Sequence, residues 1–138
     1  MKRRDFLAAT GASLAIHPRN AAALPARDGL KRMAVVTTEW RYGSHAWHMA
    51  ERFLHGYPRE GKWHRPPLEV VSAYVDQQPE GDLSKRRAEE AGFTIYKTVA
   101  EALRCGGDKL AVDAVLLIGE HGRYPTCLLY TSPSPRDS

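Results

Sequence analysis

The sequence predicts an α/β fold: a Rossmann-type parallel sheet of about four strands, incomplete, with three helices on its two faces. Three observations lead there. Short apolar runs recur at residues 33–38 (MAVVTT), 68–75 (LEVVSAYV), 93–96 (FTIY) and 112–118 (VDAVLLI). Segments with helical spacing or helix caps lie between them. The runs are nearly continuous rather than alternating, as in strands buried on both faces, which is the habit of parallel sheets. Right-handed crossovers then predict the spatial order third, second, first, fourth.

Each element has its own reason. Residues 25–31 (PARDGLK) read as a linker, and the β-branched run 33–38 as the first strand. Residues 39–43 (EWRYG) form a loop, after which Ser44 can cap a helix. In that helix Ala46, Met49, Ala50, Phe53 and Leu54 share one face, and Gly56 is a fitting stop. Residues 57–67 (YPREGKWHRPP) read as a polar loop closed by two prolines. The second strand, 68–75, ends at Asp76. Asp82 or Ser84 can start a polar helix through Ala91, with Gly92 ending it. After the third strand, Thr98 and Glu101 form a capping box that opens the helix VAEALRC, and Gly106 and Gly107 close it. The fourth strand, 112–118, would leave one sheet edge and part of a face uncovered.

The chain has 138 residues, enough for one domain. Residues 1–26 have the anatomy of an export signal: Lys2, Arg3 and Arg4, an apolar run from Phe6 to Ile16, then Ala21, Ala22 and Ala23. RRDFL resembles the twin-arginine pattern R-R-x-F-L, which predicts export by the Tat machinery to the periplasm or another extracytoplasmic space. The apolar run is too short for stable membrane insertion. Residues 127–138 (CLLYTSPSPRDS) resemble a translated sequencing-library adapter, so the expected domain is 27–126, part of a longer parent. Setting aside Lys2, Arg3, Arg4, Arg19 and Arg136 with Asp5 and Asp137 leaves 15 basic and 14 acidic residues in 24–126. A balance of +1 calls for no nucleic acid or anionic membrane. Cys105 is then a lone cysteine, with no disulfide framework.

In an open α/β sheet, ligands bind beyond the carboxyl ends of the strands. The residues expected at that rim are Thr37, Thr38, Arg41, Gly43, Ser44, Asp76, Glu120 and His121. The turn TTEWRYGSH is not G-x-G-x-x-G: only Gly43 is a glycine, Glu39 brings a negative charge, and Trp40 and Tyr42 add bulk. Ser44 and the first helical turn can still offer N–H groups to an anion, and Arg41 can pair with one. Asp76 stands where a carboxylate accepts ribose hydroxyls. His121 could move protons near neutral pH. His45, His48 and Glu51 are spaced three apart, a weak metal-ligand pattern that is more simply a polar helix face.

Residues 31–125 resemble the N-terminal half of the Gfo/Idh/MocA oxidoreductases. The likeness is carried by GSHAWH, by LEVVSAYVDQ, and by RRAEEAGFTIYKTVAEALRCGGDKLAVDAVLLIGEHGRYP. It implies a Rossmann fold, NAD or NADP as cofactor, and a sugar or polyol substrate. By position, Thr37, Glu39 and Tyr42 or Gly43 stand where the family's glycines would be. Asp76 stands at the ribose, and Glu120 and His121 near the loop facing the nicotinamide. The family's catalytic lysine and histidine belong to a C-terminal half outside this chain, so no catalytic residue is assigned and the chain alone is expected to be inactive. The full-length parent could be a homo-oligomer. The alternative is a noncatalytic binding or scaffold protein that kept the fold and lost the dinucleotide turn.

Overall fold

The computed structural model describes residues 29–120 and 122–124. The expected export signal, His121 and the Ser-Pro tail lie outside the described residues. The element order is β1 (Lys31–Thr37), α1 (His45–His55), β2 (Tyr57–Arg59), β3 (Lys62–His64), β4 (Leu68–Val75), α2 (Ser84–Ala91), β5 (Thr94–Tyr96), α3 (Val99–Arg104) and β6 (Ala114–Ile118). The main sheet is ordered β5-β4-β1-β6, and its strands are all parallel. Counting only these four strands, that is the expected order: third, second, first, fourth.

Apolar periodicity decides which face each helix covers. Met33 and Val35 of β1, Val70, Ala73 and Val75 of β4, and Ile118 of β6 form one core with Ala46 and Ala50 of α1. Leu83, Ala88 and Ala91 bring α2 to the same face. Ala34, Val71 and Tyr96 face the other way, where Leu103 and Cys105 from the α3 region and Val112 cover them. A two-faced sheet of this kind is what right-handed crossovers build. Val115 and Leu117 of β6 point to the second face beyond the reach of α3, and remain 49% and 73% exposed. This is the uncovered stretch of face that the strand count predicts.

Local signals explain the ends of the helices. Ser44 accepts the amide of Trp47 at 3.2 Å and caps α1. The capping box is formed in full: Thr98 Oγ1 accepts from Glu101 N, and Glu101 Oε2 accepts from Thr98 N, both at 3.1 Å. Helix α3 stops one residue earlier than its glycines suggest, since Cys105 itself takes the left-handed conformation (φ 49°).

Two features differ from the sequence reading. Residues 57–67 are not all loop, because β2 and β3 pair as a small antiparallel hairpin. Its tip, Glu60 and Gly61, has φ of 52° and 74°. Two positive φ values in succession match the twist of a tight hairpin, but Glu rather than Asn or Asp in the first place hides the signal. Trp40 is not bulk in the rim turn. It is fully buried in the first core and stacks on Phe93, with centroids 5.8 Å apart and planes 11° from parallel. Such a pair adds about 0.5–1.5 kcal/mol beyond the area it buries.

Candidate functional site

The strand order reverses at β1. The chain moves from β1 to β4 and β5 on one side, then returns to β6 on the other. A crevice opens beyond the carboxyl ends of strands at such a reversal, and this is the usual ligand position in open α/β sheets. Backbone bonds splice the rim segments together. Thr38 N donates to Ile118 O at 3.4 Å, Asp76 N to Thr37 O at 3.0 Å, and Gln77 N to Thr38 O at 2.7 Å.

Of the expected rim residues, His121 lies outside the described residues; the others lie at or follow the carboxyl ends of β1, β4 and β6 or lead into α1, with partners that the sequence did not indicate. Thr37 and Thr38 are buried. Thr37 Oγ1 donates to Glu39 O at 3.1 Å, and Thr38 Oγ1 accepts from Glu120 N at 3.1 Å. Gly43 has φ 78° and leads into Ser44, which is buried and also accepts Arg41 N at 3.3 Å. Arg41 pairs through Nε with Glu39 Oε1 at 2.8 Å. The negative charge of Glu39 is therefore balanced within the turn.

The first turn of α1 holds the most informative contact. His45 N lies 3.0 Å from each carboxylate oxygen of Glu120, and His45 Nδ1 lies 3.0 Å from Glu120 Oε1. Unpaired N–H groups and the helix dipole make this end of a helix attractive to anions. Here a carboxylate from 75 residues further along the chain takes that place. The Glu120 side chain is only 10% exposed, whereas that of His45 is 68% exposed.

Asp76 forms the second centre. Tyr74 Oη donates to Oδ1 and Tyr124 Oη to Oδ2, both at 2.6 Å. These hydroxyls, Tyr124 first and Tyr74 second, stabilise the charged form and hold the Asp76 carboxyl below the ordinary aspartate range. The carboxylate in turn raises both phenols above their ordinary value. Gln77 fixes the neighbouring backbone: its Oε1 accepts Arg123 N at 2.9 Å and its Nε2 donates to Arg123 O at 3.4 Å. Gly122 lies so close that a Cβ there would meet Tyr124 at 2.5 Å, Gln77 at 2.8 Å and Thr38 at 2.9 Å. Gly122–Tyr124 therefore lie across the ends of β1 and β4.

The His45, His48 and Glu51 series is divided among other partners. His48 lies edge-on to Trp47, and Glu51 accepts from Arg87 Nε at 2.6 Å and pairs with His55 at 3.2 Å. Among the described residues no group of three His, Cys, Asp or Glu side chains could hold a metal ion. Nor is any described helix long and apolar enough to cross a membrane.

No protein-family model, curated protein or solved structure matches the chain.

Sequence reasoning missed Tyr74, Gln77 and Tyr124. Tyr74 was legible in principle, since it stands two residues before Asp76 on the same strand face. The approach of Tyr124 depends on the path of the chain after β6, for which no local pattern exists.

Proposed function

We propose that the chain is a Rossmann-type binding domain whose rim takes a hydroxyl-rich ligand at Asp76 without a dinucleotide phosphate. The observation that carries this reading is the Glu120 carboxylate on His45 N. A diphosphate seeking the same N–H group would meet a like charge and would have to displace it. A carboxylate with hydroxyl donors on both oxygens suits sugar-type hydroxyls, because Tyr124 already makes the contact such a hydroxyl would make. This is the noncatalytic alternative drawn from the sequence, with its ligand class named.

A second reading keeps the oxidoreductase. Asp76 follows the second strand of the sheet, where a ribose would be held, and the fold is of the type that positions NAD or NADP. Under it, Glu120 swings off α1 when the cofactor arrives, and hydride passes between a sugar carbon and the nicotinamide in the full-length parent.

Calorimetric titration of the full chain with NAD+, NADH, NADP+ and NADPH separates the two. The first reading expects no dissociation constant tighter than about 1 mM. Micromolar binding of any of the four overturns it and supports the second.

A further inference from the structure

We propose that two copies of this chain pair through the outer edge of β6, antiparallel about a two-fold axis at Leu116. The pairing joins two four-stranded sheets into one and does not depend on what the rim binds. Among the described residues β6 ends the sheet, pairing with β1 alone. Natural sheet edges are blunted by a charge, a proline, a bulge or a very short strand. The opposite edge is of that kind, since β5 has three residues and Lys97 follows it. β6 has five residues, AVLLI, with no charge and no proline. Val115 and Leu117 stand 49% and 73% exposed on it.

Backbone parity decides what this edge fits. β1 and β6 are in parallel register, with Val35 opposite Leu116 and Thr37 opposite Ile118, and Ile118 O accepts Thr38 N. Along a strand, the N–H and C=O of one residue point to one neighbour and those of the next residue to the other. Ala114, Leu116 and Ile118 therefore face β1, and Val115 and Leu117 turn their backbone groups outward. An antiparallel partner bonds such residues in mutual pairs. Centring the pair on Leu116 sets Val115 against Leu117 of the second copy and Leu117 against its Val115, so the N–H and C=O of both residues are satisfied at once. The same register gathers the exposed Val115 and Leu117 side chains of both copies on the second face, beyond the reach of α3. The Leu116 side chains meet on the axis over the first core, against which Leu116 already packs. Asp113, the nearest charge before β6, falls opposite Gly119 of the second copy, so no like charges meet across the edge. Parity, apolar contact and charge select one register, and that register is self-complementary. Such an isologous contact takes a second copy as its partner and closes at two chains.

The test is sedimentation velocity of the full chain from about 1 to about 500 µM, with amide hydrogen exchange followed by NMR. An edge of five residues makes a small interface, and small interfaces belong to transient complexes, so a monomer–dimer equilibrium with a dissociation constant of about 10–100 µM is expected. The Val115 and Leu117 amides should exchange about three-fold more slowly at about 500 µM than at about 30 µM, while that of Leu116, already turned to β1, should not change. Leu117→Lys alters a side chain that is already exposed, and sets two lysines beside the axis; it should raise the dissociation constant by at least about ten-fold. Thr94→Lys, at the β5 edge, should leave it unchanged. Circular dichroism melting shows whether each variant is folded, and the exchange pattern of the wild type carries the test if one is not. A monomer throughout the range, assemblies larger than a dimer, or an undiminished dimer in folded Leu117→Lys each overturn the proposal. So does equal protection of Val115 and Leu117 at both concentrations, which would put a segment of the same chain on β6.

Discussion

Replacing Glu120 with alanine removes the carboxylate from the first turn of α1, and the cost can be worked from the contact itself. His45 N reaches both oxygens at 3.0 Å, so one N–H is shared and counts as one bond. Hydrogen bonds to a charged group contribute about 1.5–3 kcal/mol, and a charge at an exposed helix end about 0.3–1 kcal/mol. These describe one contact and do not add. The His45 ring, 68% exposed, contributes less than about 1 kcal/mol through its own pairing with the carboxylate. A loss of about 1.5 kcal/mol follows for Glu120→Ala, which in a domain of this size lowers the melting temperature by about 6–12 °C. Glu120→Gln keeps the shape and an acceptor but loses the charge, so it should lose about half as much. Thermal melting by circular dichroism reads both, and native-state exchange of the His45 amide should speed up in step. A Glu120→Ala protein melting within about 1 °C of wild type would refute the reasoning.

Three further outcomes are expected. Glu51→Ala leaves Arg87 Nε, His55 Nε2 and Trp40 Nε1 without their shared acceptor between α1 and α2, and should lower stability by about 1–3 kcal/mol in a urea titration. Gly56→Ala forces a Cβ to 2.5 Å from His64 O at φ 82°, and should destabilise by more than about 1 kcal/mol by the same measurement. The lowered pKa of Asp76 has a defined sign: its contribution to stability is fully present above the unfolded value of about 3.9 and is lost as pH falls through the lower folded value. Carbon-detected NMR should therefore show the Asp76 carboxyl titrating below the ordinary range, with Tyr124→Phe moving it back up.

Much of the sheet was legible because its signals are local or follow from chirality. Val35 and Val36 sit in an apolar β-branched run, Thr98 and Glu101 stand three apart, and the handedness of crossovers orders the strands. The rim residues were legible as a set, since they follow strands whose carboxyl ends must lie together. Their pairings were not. Glu120 reaches His45 across 75 residues and Tyr124 reaches Asp76 across 48, and neither contact leaves a periodic trace in the sequence. Trp40 was misread for a related reason. It follows a strand in a turn, where large side chains usually face solvent, but its indole turns under α1 and α2 to meet Phe93. The hairpin was hidden by strands of three residues each, too short for alternation to register.

The central claim is that Glu120 holds the anion position of the rim. The most direct measurement follows the His45 amide by NMR while ADP-ribose, a diphosphate probe, is titrated into wild type and Glu120→Ala. The amide should stay unmoved in wild type up to about 1 mM, and should shift saturably in the variant at concentrations about ten-fold lower. A saturable shift of the His45 amide in wild type at micromolar ADP-ribose would contradict the account.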